Sequence, residues 1–206
     1  MPTPVNSQYV EERLEELYQR HLIVGEDSVA SYYESGRGYH KPELAAEERD
    51  RFSICLVLTN GEAHQAGDHD RPFALQSISK VFVYGLALAD HGGDYVLEHV
   101  GVEPSGDAFN SIIFDERNNR PYNPMVNAGA LVTTELVRGK DSAEKFERIL
   151  GVLRSYAGNR SLEVDEHAFE AEMCTADCNR ATGYLMRSQG MIWGDVEGIL
   201  ALYLRQ

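Results

Sequence analysis

The sequence predicts an α+β protein that is mainly helical, with one small antiparallel sheet. Three observations carry this. An apolar run at 52–59 is followed by Asn60-Gly61 and a second short extended segment, which is the pattern of a hairpin. Almost everything from Ser77 onward shows helical periodicity or helix-end signals. The strands run out early, so their sheet needs a helix layer or further strands to close a core, and is expected to be incomplete.

Taken in order, Val10, Leu14, Leu17 and His21 share one face of an amphipathic first helix. The run FSICLVLT at 52–59 is too short for a core helix and reads as a strand, and EAHQAG at 62–67 returns beside it across a two-residue Asn60-Gly61 turn. A short extended piece at 73–75 precedes a turn at Gln76-Ser77. SISKVFVYGLALADH starts a helix on a serine and stops at Gly92-Gly93. Residues 101–111 form a loop punctuated by proline and glycine. Asn123 is the expected N-cap of the next helix, with Pro124 at its first position. Further helices are expected from about 142, capped by Asp141 or Ser142, over roughly 164–189 as one continuous stretch, and over roughly 195–205. The expected organisation is one domain, 1–206, with a helix plus hairpin over 1–75 and a mainly helical part over 76–206. With 206 residues, 43% of them hydrophobic, the chain has the material for a real core.

The net charge of −14 excludes some partner classes. A polyanion repels nucleic acid and anionic membrane surfaces, so no nucleic acid and no membrane partner is expected. No apolar run is long enough to span a bilayer, and the first residues lack the pattern of a secretory leader. Three cysteines in a chain of this size read as reduced thiols of a cytoplasmic protein. Unfinished sheet edges invite association, so a homo-oligomer is expected.

Ser77 and Lys80 form the first chemical signal. A Ser-x-x-Lys at a helix start sets both side chains on one face, one turn apart. Serine is a weak nucleophile until a base takes its proton, and a lysine kept from water loses its charge readily enough to be that base. The competing reading is a capping serine followed by a solvated lysine; the apolar helix that follows (VFVYGLALA) favours burial. The second signal is Asn127, in NPMVNAGA at 123–130, where small residues after it allow close approach of backbone or ligand; a local polar contact is its other reading. The third is Glu172 with Asn179. Seven residues apart in one helix, they share a face about 10 Å apart along the axis and suit the two ends of a free amino acid. Cys174 and Cys178 stand one helical turn apart near His167 and Asp177, but no second ligand pair completes a zinc site.

Four strings together, FALQSISK at 73–80, EPSGDAFN at 103–110, NPMVNAGA at 123–130 and the Glu172 to Arg180 segment with DCNR, resemble the serine-dependent glutaminases. That family belongs to the β-lactamase and penicillin-binding-protein superfamily. The resemblance runs in order from about Tyr39 to Tyr203. It implies a β-lactamase-like fold with a helical subdomain, and hydrolysis of L-glutamine to L-glutamate and ammonia with no metal or organic cofactor. It also implies Ser77 as nucleophile and Lys80 as base, with Gln76, Asn127, Glu172, Asn179, Tyr203 and Tyr39 binding the substrate. Tyr39 stands one position further from Pro42 than the family pattern, with His40 in the expected place. Ala176 replaces a glycine of the family, and Cys178 a basic residue. The family's later segment, with a second tyrosine, a Lys-Ser-Gly motif and one oxyanion-hole N–H, is expected to be lacking. Two other functions remain open on these residues: a penicillin-recognising serine hydrolase, and a non-catalytic glutamine-binding or oligomerising fragment.

Overall fold

A computed structural model describes residues 6–22 and 51–206. Tyr39, His40 and Pro42 lie outside the described residues. The chain divides into two compact units, Met1–Phe73 and Ala74–Gln206.

In the first unit, helix α1 (Ser7–Leu22) packs against a hairpin of β1 (Ser53–Val57) and β2 (Ala63–Gly67). The strands pair antiparallel, Ser53 opposite Gly67 and Val57 opposite Ala63. The turn is longer than the two residues that Asn60-Gly61 predicts. Leu58 N–H donates to Glu62 O at 2.8 Å and Gly61 N–H to Leu58 O at 2.9 Å, which closes a three-residue loop. Only Gly61 is left-handed (φ +85°), as such loops require. β2 alternates as a half-buried strand, His64 and Ala66 inward. The apolar run of β1 stays largely exposed, Val57 at 68%. Among the described residues one helix covers one face of the two-stranded ribbon, and the other face is exposed. The 73–75 piece forms no strand.

His64 is 3% exposed, and among the described residues neither ring nitrogen has a hydrogen bond. The carboxylates of Glu11 and Glu62 stand 3.6 and 3.7 Å from them. A desolvated polar group without a partner costs about 1–3 kcal/mol. His64→Leu is therefore expected to raise the urea midpoint at pH 8. An unchanged or lower midpoint would show that the paired glutamates already compensate the imidazole.

The second unit is helical. A 3-10 turn (Gln76–Ile78) runs straight into α2 (Ser79–His91). Then come α3 (Gly93–His99), α4 (Asn127–Leu136), α5 (Ser142–Ala157), α6 (Glu166–Thr175), α7 (Asp177–Ser188) and α8 (Val196–Leu204). α4 is the axis of this unit: every residue from Ala128 to Thr134 is buried, and Leu136 with them. It is flanked by α2, α3, α7 and α8. One core cluster joins Ala87, Val96, Leu131, Val132, Met186 and Leu200. A second joins Val83, Leu86, Val137, Ile149 and Leu153 under α5. A helix apolar all round is a core helix, and the sequence NAGALVTTEL has that character.

Three helix boundaries differ from expectation. α3 was not signalled by any cap. α4 begins at Asn127, because Asn123 spends its side chain on an earlier turn, its Oδ1 accepting from Met125 N and Val126 N. The stretch at 164–189 is two helices, broken at Ala176 (ψ 17°). By contrast Asp141 caps α5 as expected, accepting from Glu144 N, and Gly158 ends it in the left-handed region.

Candidate active site

Four parts of the second unit converge: the 76–80 segment, the N-terminus of α4, the α6–α7 break, and the last turn of α8. Gln76 holds φ +45°, a region that non-glycine residues seldom occupy. Ser77 follows it and is exposed. The starts of the 3-10 turn and of α2 carry no side-chain cap bond, so the reading of Ser77 as a helix cap fails.

Lys80, one turn further, is 2% exposed. Its Nζ donates to Asn127 Oδ1 at 2.7 Å and to Met125 O at 3.0 Å. The Phe109 ring lies over it, 5.4 Å from Nζ to the ring centroid. Burial disfavours the ammonium form and brings its pKa down to about 8. The solvated-lysine reading therefore fails too.

Asn127 is the hub. Its Oδ1 must accept, because lysine offers only donors there. It takes a second bond from Tyr203 Oη at 3.1 Å, while its Nδ2 donates to Asn179 Oδ1 at 3.0 Å. Burial pushes the Tyr203 phenol well above the ordinary range, with the Glu172 charge adding to this, so the group stays protonated at neutral pH. Gln76 Nε2 donates to Glu172 Oε1 at 3.1 Å. Burial raises the Glu172 carboxyl, and the Gln76 bond partly offsets it.

Gln76, Ser77, Lys80, Asn127, Glu172, Asn179 and Tyr203 are thus linked by direct hydrogen bonds or by the single turn at 76–80. Glu172 and Asn179 reach the site from two helices, rather than from one continuous face. Sequence reasoning missed the Met125 carbonyl and the Phe109 ring. A backbone acceptor leaves no trace in residue type, but Phe109 lay within a string already singled out, EPSGDAFN. Cys55, Cys174 and Cys178 are exposed free thiols. Among the described residues no group of His, Cys, Asp and Glu is arranged to hold a metal ion.

The glutaminase family model matches residues 38–206. The chain belongs to the glutaminase family. It is 47% identical over 193 residues to a glutaminase of Trichormus variabilis, a match covering 94% of this chain and 55% of that one. It is 44% identical over 178 residues to glutaminase 2 of Clostridium perfringens, covering 85% and 58%. A crystal structure of a probable Bacillus subtilis glutaminase has a TM-score of 0.80 at 32% identity, over 96% of this chain and 59% of that one. The structure of Mglu in its glutamate form gives 0.79 at 34%, over 100% and 44%. The α+β fold is that of these glutaminases. The chain spans a little over half the length of the curated glutaminases it matches.

Proposed function

We propose that this chain hydrolyses L-glutamine to L-glutamate and ammonia through an acyl-enzyme on Ser77. The observation that carries the reading is the valence of Lys80. A neutral amine has two N–H donors and one lone pair. Met125 O and Asn127 Oδ1 take both donors. The lone pair is left for the hydroxyl of Ser77, one turn away. With a pKa of about 8 roughly a tenth of the amine is neutral at pH 7, against almost none for an ordinary lysine.

Lys80 takes the Ser77 proton as Oγ attacks the side-chain amide carbon of glutamine. The tetrahedral oxyanion is met by backbone N–H groups, that of Ser77 among them. The C–N bond breaks, the proton passes to the leaving nitrogen, and ammonia departs. Water then attacks the ester and restores Ser77. Glu172 faces the α-ammonium, and Asn179 with its Nδ2 donors faces the α-carboxylate; Gln76, Asn127 and Tyr203 hold the rest of the substrate, with Tyr39 assigned to the same role by resemblance. The crystallised glutamate form of Mglu supports a site of this class for an acidic amino-acid product.

The test is ammonia release from L-glutamine, with acid quench and mass mapping of Ser77. Ammonia together with a glutamyl ester on Ser77 is expected. kcat/KM should rise with pH, reach half its plateau near pH 8 and level off about one unit higher, because protonated Lys80 cannot accept a proton. Glutamine binding by calorimetry with neither ammonia nor ester would replace this reading by a glutamine-binding module.

The same reading treats 1–206 as glutaminase domain and places it in the cytoplasm as a homo-oligomer. Three exposed free thiols suit a reducing compartment. Among the described residues no helix is long and apolar enough to cross a membrane, and β1 pairs only with β2, which leaves a strand edge for association. Native mass measures the last point.

A further inference from the structure

We propose that Phe109 is a positioning residue for Lys80: its ring shields Nζ from water while its backbone anchors the asparagine that holds the amine. Phe109 O accepts the Asn127 N–H at 2.8 Å, so the loop is fastened to the first residue of α4. From the same residue the ring extends over Lys80 Nζ. The ring is 57% exposed and the lysine beneath it 2% exposed, as expected of a cover with water on its outer side. The loop is tied down at further points. Asn123 Nδ2 donates to Glu103 O at 2.9 Å, Gly101 N–H to Pro121 O at 2.9 Å and Glu103 N–H to Tyr122 O at 3.1 Å.

Two effects of the ring oppose each other. A cation over an aromatic face is stabilised by about 0.5–1 kcal/mol at exposed sites, which favours the ammonium. Exclusion of water favours the neutral amine. Burial is the cause that lowers Lys80, and exclusion of water is taken as the larger of the two effects. The role of Phe109 is accordingly one of cover, and an aliphatic side chain of similar reach should supply it.

The proposal rests on Lys80 being the base, but its test reads the lysine without turnover. The chain has four lysines, so protein labelled with 13C at lysine Cε gives a spectrum simple enough to titrate. Lys80→Met identifies the Lys80 signal by its disappearance. Wild type is expected to titrate near 8. Phe109→Ala is expected to move the midpoint up by about one unit, toward the ordinary lysine value. Phe109→Leu should keep it near 8, which separates cover from disturbed folding. In ammonia release, one unit in the base is about a tenfold loss of kcat at pH 7, regained toward pH 9, with KM little changed. An unmoved midpoint in Phe109→Ala overturns the proposal. So does a midpoint that falls in Phe109→Leu, because the ring face would then govern the amine. If the midpoint moves as expected but no variant releases ammonia, the glutaminase reading fails and the cover stands.

Discussion

A Ser77→Ala protein is expected to melt at the wild-type temperature, to bind L-glutamine, and to release ammonia at least about a thousandfold more slowly. The contrast follows from what Ser77 does not do. It is exposed, and it caps neither the 3-10 turn nor α2. Surface substitutions of that kind usually change stability by less than about 0.5 kcal/mol. Removing Oγ, however, removes the atom that forms the acyl bond, and the remaining binding groups cannot replace it. Thermal melting, calorimetry with glutamine and an ammonia assay measure the three parts separately. Wild-type turnover in Ser77→Ala would sink the nucleophile assignment. A lowered melting temperature would show that the Ser77 side chain is structural.

Gly129→Ala is expected to have the largest effect on folding, a loss of about 2–3 kcal/mol or more. A Cβ at this position would stand 2.8 Å from the Asn123 carbonyl carbon, closer still to its oxygen, and 3.0 Å from Pro124 Cα. These are backbone atoms, and they have no room to yield. Asn123 is fixed by bonds to Met125 N, Val126 N and Glu103 O, and α4 is buried on all sides. Any displacement would also carry Asn127, two residues earlier, away from Lys80. Gly151→Ala is the control. It lies in α5 with open space around it, and the gain in helix propensity should stabilise it by up to about 1 kcal/mol. Urea midpoints of the two variants should move in opposite directions. Equal midpoints would mean that the turn before α4 is soft.

What was legible in the residues was chiefly local. The amphipathic α1, the hairpin, the long α2 and the Asp141 cap all rest on signals within a few residues of one another. The residues that converge around Asn127 were legible as candidates because they fall in distinctive strings. What could not be read was long-range. Whether Lys80 is buried depends on Phe109 and α4, 29 and more residues away in the chain. Asn123 has the type and place of a cap, yet its side chain serves a turn that also binds Glu103 O. The break at Ala176 carries neither glycine nor proline, so nothing in the helical pattern announced it.

That break sorts charge at the site. Glu172 lies in the last turn of α6, where the helix dipole gives a negative field that draws cations. Asn179 lies in the first turn of α7, where free N–H groups draw anions. An unbroken helix would place both residues at its middle, where these fields cancel. Cut at Ala176, the two segments present opposite polarities a few residues apart, so a zwitterion has one favoured direction in which to lie. On the proposed reading, the orientation that brings the far end of an amino acid to Ser77 is written partly in the backbone, and a substitution that heals the break would blur it even with Glu172 and Asn179 intact.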